Sequence, residues 1–203
     1  MFIVVTGPDG SGKTTVCNKL QFFLSEKLNE RSITIASVWD QYEELFASQE
    51  HAQTYLKNLK GSSRSYFIFH AVQRSLELAR ERKKKIIIMD SYWYKYVVSE
   101  IALGSKKEIL YQIANLFPIP DLTIYLDISA ELALKRKKEI SNYEQGIAKG
   151  KNSEEKFLNF QNSLRPVWKE IEGQFGPWFS ISANQNCEKI IESMFSIYQK
   201  KVA

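Results

Sequence analysis

Apolar residues are distributed along the chain in two alternating patterns. Short runs of continuously apolar or β-branched residues cover 2–6, 32–38, 86–89, 122–126 and 177–182. Such runs are typical of parallel strands that are buried on both faces of a sheet. Between them, apolar residues recur every three or four positions, the spacing of one helix face. Strands that alternate with helices predict an α/β fold, a five-stranded parallel sheet flanked by helices.

The helical spacing predicts helices that connect consecutive strands. They cover 14–28, 62–83 with Ser62 or Ser63 as a cap, a pair within 92–117, then 130–138, 153–173 and a last helix capped by Asn186. Residues 40–60 are polar and aromatic without a sharp period, which indicates short helices lining a cleft. Residues 139–152 are polar and contain Gly146 and Gly150, so we expect a mobile lid over approximately 137–152.

The composition is that of an ordinary globular protein. With 203 residues, 44% of them hydrophobic and 25% charged, the chain is expected to form a single domain over 1–203. The formal charge of +5 lies largely in runs at 80–85 and 135–138, which suit a solvated helix face. No nucleic-acid-binding module is recognised, so no nucleic-acid partner is expected.

The cellular compartment follows from what the sequence lacks. The two cysteines, Cys17 and Cys187, form neither a disulfide framework nor a metal-ligand spacing. The N-terminus opens into a strand without the features of a signal peptide, and no apolar run approaches the roughly 18 residues of a membrane span. We therefore expect a cytoplasmic protein with no membrane partner.

The residues after the first predicted strand form a glycine-rich phosphate-binding motif, GPDGSGKTT at 7–15. It matches G-x-x-x-x-G-K-[ST] between a strand and a helix, the context that the motif requires. Glycines let successive N–H groups point inward, and the helix N-terminus adds positive potential. In such a P-loop, Lys13 reaches the β- and γ-phosphates of a nucleoside triphosphate and the Thr14 hydroxyl binds Mg²⁺. The nucleotide-binding residues predicted here are Gly7, Gly10, Ser11, Gly12, Lys13, Thr14 and Thr15.

Aspartates follow three of the predicted strands, at the sheet edge where ligands of such folds bind. Asp90 ends an apolar strand as a Walker-B carboxylate does, and is predicted to hold Mg²⁺ or to orient a substrate group. The alternative is that it caps the next helix. Asp40 and Asp127 lie at equivalent strand ends, and for Asp127 capping and function are equally open.

A second group of cations lies just before the lid. Phosphoryl transfer needs positive charge around the transferring group, and a closing lid can deliver it. Within the run at 135–138, Lys137 and Lys138 fit a solvated helix face.

These motifs resemble the thymidylate kinase family of nucleoside monophosphate kinases over nearly the whole chain. The P-loop carries that family's carboxylate, Asp9, at its third position, and Asp90-Ser91-Tyr92 resembles its Asp-Arg-Tyr block. Residues 122–127, followed nine positions later by Arg136, are similar to its strand and lid-entry arginine. Residues 181–185 resemble the turn beside the nucleotide base, and 142–144 resemble lid sequences of some members.

The resemblance implies a P-loop NTPase fold, ATP and Mg²⁺ as cofactors, and a homodimer. It implies that Lys13 and Arg136 stabilise the migrating phosphoryl group, with Asp90 supporting the metal or acceptor. Asp9 would contact the sugar 3′-hydroxyl and Arg74 the acceptor base. Further expected contacts are Asn184 for the donor nucleotide, and Phe67, His70, Tyr92 and Lys95 for the acceptor.

The sequence departs from the family mainly on the acceptor side. Ser91 stands where an arginine is usual, and Lys95, one helical turn later, is a substitute with weaker phosphate geometry. His70 stands where an aromatic ring is expected to stack on thymine, with Phe67 and Phe69 as alternatives. Glu100 replaces a base-reading Gln, Asn or Thr. Residues 39–42 lack the family's arginine signature after the second strand.

The expected function is ATP-dependent phosphorylation of a nucleoside monophosphate, with dTMP as the acceptor. Two alternatives stay open: a related enzyme that uses another nucleotide or a nucleoside, and an ATP-binding module without acceptor chemistry. The aromatic helix at 93–101 fits a buried core, and a family-like dimer would use part of it.

Overall fold

The computed structural model describes residues 1–29, 32–40 and 45–202. Its centre is a parallel sheet of five strands in the order β2-β3-β1-β4-β5. The strands are β1 (Phe2–Thr6), β2 (Ile33–Ser37), β3 (Ile86–Asp90), β4 (Leu122–Asp127) and β5 (Trp178–Ser182). The predicted α/β class and all five strands are therefore confirmed.

Helices cover both faces of the sheet. The described helices are α1 (Lys13–Lys27), α2 (Gln49–Asn58), α3 (Gly61–Glu81), α4 (Trp93–Ala102), α5 (Lys107–Ala114), α6 (Ala130–Lys135), α7 (Asn142–Gln145), α8 (Ser153–Ile171) and α9 (Cys187–Val202). None of the helices in the described residues is long and apolar enough to cross a membrane.

The alternation of side chains along each strand builds two separate cores. Ile3 and Val5 of β1 face a core that α1 and α9 cover, whereas Val4 faces the core under α3, α4 and α8. Because both faces are covered, the strands read as continuous apolar runs. The charged strand ends are left at the carboxyl edge, where the P-loop lies.

The helix boundaries differ from the predictions in three places. Helix α3 begins after Lys60 with no side-chain cap, so the prediction that Ser62 or Ser63 caps it is wrong. Helix α6 ends at Lys135 and not at residue 138, and the lid segment contains its own short helix, α7. Asn186 does cap α9, since its Oδ1 accepts the Lys189 N–H at 3.0 Å.

Candidate nucleotide-binding site

The P-loop joins β1 to α1 and packs tightly against its neighbours. Gly7 and Gly10 have positive φ angles of 147° and 80°. A Cβ at Gly7 would lie 2.7 Å from the Leu126 carbonyl oxygen, and one at Gly10 would lie 2.8 Å from that of Ala133. The loop therefore rests on β4 and on α6, and only glycine allows this approach.

The Lys13 ammonium lies inside the loop. Its Nζ donates to the carbonyls of Pro8 (2.7 Å) and Gly7 (3.1 Å) and to the Ser11 hydroxyl (3.5 Å). Burial, with the nearby charge of Lys95, lowers the pKa of Lys13 to about 8, although Asp9 and Asp90 act in the opposite direction. An anion at the loop would stabilise the charged form of the buried Lys13 ammonium. The loop therefore has the electrostatics that favour binding of phosphate.

Thr14 and Asp90 meet at the start of α1. The Thr14 hydroxyl donates to Asp90 Oδ2 at 2.5 Å, so β3 places its carboxylate directly opposite the loop. A hydroxyl and a carboxylate are oxygen ligands of the kind that Mg²⁺ prefers, and Mg²⁺ commonly keeps several waters and phosphate oxygens besides. The described residues contain no cluster of three or more His, Cys, Asp or Glu that could hold a metal. Thr14 and Asp90 thus offer two oxygen ligands of the kind that fits Mg²⁺.

Asp9 is enclosed by two other elements. Lys95 of α4 places its Nζ 2.5 Å from Asp9 Oδ1, and Gln161 of α8 contacts the Asp9 backbone N–H (3.3 Å) and Oδ2 (3.5 Å). Burial alone would raise the pKa of Asp9, but the charges of Lys95 and Lys13 outweigh it and hold the pKa below its ordinary value. Two residues predicted to bind the acceptor are thus in contact, beside the loop lysine.

Arg136 lies at the end of α6, against the turn after β5. Its Nη2 donates to the Ala183 carbonyl at 2.6 Å, so it lies beside the turn that carries Asn184. The structure brings these two predicted donor-site residues together. The other N–H groups of the guanidinium are not used by this bond.

The lid reaches the site through α7. Ser141 and Glu144 form a capping box at its start, and Lys137 is ion-paired with Glu144. The Tyr143 ring lies 5.8 Å from Lys95 Nζ. Lys137, which the sequence assigned to a solvated face, is half-buried here and contributes to the low pKa of Asp9. Its importance was missed because a basic run does not show which lysine turns inward.

The predicted base-contacting residues lie on α3. Phe67 is half-buried and packs against Tyr55 and Phe46, with ring centroids at 5.3 and 5.9 Å. His70 is exposed, and Arg74 is ion-paired within the helix to Glu81 at 3.3 Å. His70 is therefore accessible to a ligand, whereas the Arg74 guanidinium is already paired with a carboxylate of its own helix. Residues 41 and 42 of the missing arginine signature lie outside the described residues.

Tyr92 is in the core and not in the site. It is completely buried, and its hydroxyl donates to the Pro118 carbonyl at 3.0 Å. Ser91, just before it, has a φ of 64°, and this left-handed residue separates Asp90 from the helix that follows. The expectation that Tyr92 binds substrate does not agree with this position.

A buried ion pair between α3 and α4 could not be found from sequence. Arg64 Nε lies 2.7 Å from Glu100 Oε1, and Ser65 donates to Glu100 Oε2 at 3.4 Å. Both charged residues line a cavity of about 330 Å³. Because Glu100 is 2% exposed and bonded to Arg64, its carboxylate is satisfied within the protein. The sequence signal was a glutamate within a largely apolar and aromatic helix.

The fold and the site define a P-loop nucleotide-binding protein of the kinase class. A parallel sheet carries the loop after β1, a carboxylate on β3 meets the loop threonine, and the segment after α6 contains the ion pair between Lys137 and Glu144. A model of the family described as thymidylate kinase matches residues 5–194. The chain belongs to the thymidylate kinase family.

Curated relatives cover most of the chain at modest identity. A probable thymidylate kinase of Pyrococcus abyssi is 27% identical over 99% of this chain and 97% of its own length. Probable thymidylate kinase 1 of Saccharolobus solfataricus is 24% identical over 98% and 97%. A probable thymidylate kinase of Methanosphaera stadtmanae reaches 32% over 71% of this chain and 75% of its own length.

Solved structures support the same fold. Deoxyadenosine kinase from M. mycoides with bound dATP aligns over 98% of this chain and 100% of that one, with a TM-score of 0.63 and 20% identity. The same kinase, with the products dCMP and a flexible dCDP bound, gives a TM-score of 0.61 at 19% identity. At such identities the likeness concerns the fold alone.

Proposed function

We propose that this chain catalyses ATP-dependent phosphorylation of a nucleoside monophosphate, with dTMP converted to dTDP. An oxygen of the acceptor 5′-phosphate attacks the γ-phosphorus of ATP. The bond from that phosphorus to the bridging oxygen breaks, and ADP leaves. Family membership supports the reaction class and the acceptor.

The observation that carries the proposal is the contact between Asp9 and Lys95 beside Lys13. A carboxylate and a second ammonium border the donor-phosphate loop directly, so an acceptor held there lies next to the γ-phosphoryl group. Positioning of this kind is the main source of catalysis in phosphoryl transfer.

The site residues then have distinct roles. Lys13 and the loop N–H groups bind the donor phosphates, with Arg136 and Asn184 beside the donor nucleotide. Asp9, Lys95 and the face of α3 with Phe67, His70 and Arg74 face the acceptor. Thr14 and Asp90 would hold Mg²⁺, which when bound would supply positive charge to offset the negative charge of the phosphates.

Replacing Lys13 tests the proposal directly. Lys13→Ala should abolish ADP formation from ATP and dTMP, while circular dichroism remains that of the unchanged fold. Lys19→Ala is the matched control, because Lys19 lies on the same helix in a surface ion pair with Glu188. Full activity of Lys13→Ala, with Lys19→Ala also active, would contradict the assignment.

A different acceptor is the second candidate, and the Arg64–Glu100 pair favours it. Glu100 stands at the position of a base-reading residue, yet its carboxylate is bonded to Arg64 and Ser65. Incubation with ATP, Mg²⁺ and each of a panel of nucleosides and nucleotides decides between acceptors. If dTMP is inert and another compound yields ADP, that compound replaces dTMP in the proposal. Binding of ATP without transfer to any acceptor would indicate an ATP-binding module.

We also propose a homodimer and a cytoplasmic location, in keeping with the family. The aromatic helix considered for the interface is largely internal, since Trp93, Tyr94, Tyr96, Val97 and Val98 are buried within the chain. A dimer interface therefore has to use other surfaces. Light scattering that gives a monomeric mass would remove the dimer from the proposal.

A further inference from the structure

Gln161 is the polar member of the buried face of α8. Its side chain is 3% exposed, and the other buried residues of this helix are aromatic or aliphatic: Phe157, Phe160, Leu164, Trp168 and Ile171. A buried amide costs free energy unless its N–H and C=O groups are hydrogen-bonded. The partners of the Gln161 amide therefore show why a glutamine lies at this position.

Within the described residues, the hydrogen bonds of the Gln161 amide go to Asp9 of the P-loop. Oε1 accepts the Asp9 backbone N–H at 3.3 Å, and Nε2 donates to Asp9 Oδ2 at 3.5 Å. These two bonds fix the orientation of the amide, because a reversed amide would point its NH₂ group at the backbone N–H and its oxygen at the carboxylate. A residue 152 positions further along the chain thus holds both the backbone and the side chain of Asp9.

The Asp9 carboxylate has a different donor on each of its oxygens. Lys95 of α4 lies 2.5 Å from Oδ1, and Gln161 of α8 bonds Oδ2. Lys95 is a cation that an acceptor phosphate would attract, whereas the Gln161 amide is neutral and stays paired with the carboxylate. When Lys95 turns toward a phosphate, Gln161 is the donor that keeps Asp9 in place.

The lid segment packs on the same part of α8. Gly146, at the end of α7, lies so close to the Phe160 ring that a Cβ at this position would overlap the ring. Phe160 directly precedes Gln161, so adjacent residues of one helix contact the lid segment and the P-loop. The position of Asp9 is thereby tied to the helix on which the lid segment rests.

We propose that Gln161 is a positioning residue that holds the Asp9 carboxylate in place for the phosphate acceptor, an inference that rests on the proposed function. The Asp9 N–H is already bonded to Gln161, so it is not among the loop N–H groups that are left to bind the donor phosphates. Loss of the Gln161 amide should therefore weaken binding of the acceptor and leave binding of ATP unchanged.

Removal of the amide tests this split between the two nucleotides. Gln161→Met keeps a side chain of similar length, and its Kd for dTMP, measured by calorimetry without ATP, should be weaker by about tenfold. Its Kd for ATP should equal that of the unchanged protein. Gln161→Asn, whose amide is one methylene too short to reach both atoms of Asp9, should show the same split, so the test does not depend on the folding of one variant. Asn162 is exposed on the same helix, so the control Asn162→Met should change neither Kd. Unchanged affinity for dTMP, or an equal loss for ATP and dTMP, would overturn the proposal.

An exchange of charge tests the contact itself without any acceptor. Gln161→Glu places a second buried carboxylate beside that of Asp9 and should lower the Tm, because like charges repel and the amide donor is lost. Adding Asp9→Asn restores one carboxylate and one amide, with Lys95 still close to the charge, so the double variant should have a higher Tm than Gln161→Glu. Asn162→Asp combined with Asp9→Asn is the control, in which the two effects should add. A double variant with a lower Tm than Gln161→Glu would overturn the proposal.

The role of Gln161 and the proposed function fail in different measurements. The proposed function fails if the unchanged protein forms no ADP from ATP with any nucleoside monophosphate. Gln161 is judged by binding, with whichever of dTMP, dCMP, dAMP and dGMP binds the unchanged protein most tightly. An equal Kd of Gln161→Met and the unchanged protein for that nucleotide overturns the role of Gln161, even where both proteins form ADP. If none of the four nucleotides binds the unchanged protein, the role of Gln161 toward an acceptor is overturned as well.

Discussion

The Lys95 ammonium lies 2.5 Å from Asp9 Oδ1, which joins the phosphate-binding loop to α4. Both side chains are largely buried, at 16% and 8% exposure. The pair therefore serves stability and the acceptor site at once. A nucleotide phosphate that attracts Lys95 has to compete with Asp9 for it.

Removing Lys95 should strongly destabilise the fold. Lys95→Met leaves the Asp9 carboxylate buried without its partner, and losing one member of a buried pair costs about 3–5 kcal/mol. The double variant Asp9→Asn with Lys95→Met should recover part of this loss, because no charge is then left unpaired. Denaturant unfolding at neutral pH gives the free energy of unfolding of both variants. If the double variant loses as much as Lys95→Met, Asp9 and Lys95 are not energetically coupled.

The loss in Lys95→Met should also depend on pH. In the unchanged protein the folded-state pKa of Asp9 lies below its ordinary value of 3.8, so the pair's stabilisation is present above that pH. It disappears as the pH falls through the lower folded-state pKa. Unfolding curves should therefore converge for the two proteins in acid, and a constant difference would contradict this cause.

ATP binding should take up a proton on the alkaline side. The pKa of Lys13 is lowered to about 8 by burial, and phosphate oxygens beside the ammonium should raise that pKa. Below about pH 8 the lysine is already charged, so the affinity for ATP should be constant there; above about pH 8 it should fall by up to about tenfold per pH unit. Calorimetry in buffers of different ionisation enthalpy measures the proton. A titration near pH 9 without buffer dependence would exclude this role of Lys13.

Gly10→Ala should damage both stability and ATP binding. The new Cβ meets the Ala133 carbonyl oxygen at 2.8 Å, at a φ of 80° that L-residues rarely adopt, and so displaces α6 from the loop. Gly104→Ala is the matched control, with a similar φ of 92° but no atom within 4 Å. The control should lose about 1 kcal/mol and keep its KM for ATP. If Gly10→Ala and Gly104→Ala lose the same free energy of unfolding and both keep their KM for ATP, the contact of the loop with α6 is unimportant.

Asp90→Asn should weaken the dependence of ATP binding on Mg²⁺. The variant keeps an oxygen near Thr14 but removes the charge that suits a divalent cation. ATP affinity with Mg²⁺ should approach the affinity measured with EDTA, while Asp127→Asn keeps the difference. An unchanged Mg²⁺ effect in Asp90→Asn would exclude the metal site at Thr14.

Local sequence was sufficient for the strands and the P-loop. Residues 7–15 are contiguous, their glycines and lysine act through backbone geometry within a few residues, and the flanking strand and helix are visible as periodicity. Asp90 could be placed for a similar reason, because a parallel sheet brings every strand end to one edge.

The acceptor side could not be derived in this way. Tyr92 and Lys95 are three residues apart at the start of α4, but the Tyr92 side chain is buried in the core whereas the Lys95 side chain reaches Asp9. The partners of Asp9, Tyr143 and Glu100 come from different elements, and no local pattern fixes which side chains converge. Arg74 was expected at the base, yet it is held by carboxylates of its own helix.

By itself, the sequence determined the α/β class, the donor-phosphate loop and the carboxylate opposite it, because these follow from periodicity and contiguous residues. The tertiary structure alone decided that Lys95 pairs with Asp9, that Tyr143 of α7 lies near Lys95 and Arg64, and that Glu100 is ion-paired with Arg64. Buried charges must find partners wherever packing brings them, and packing is a property of the whole chain.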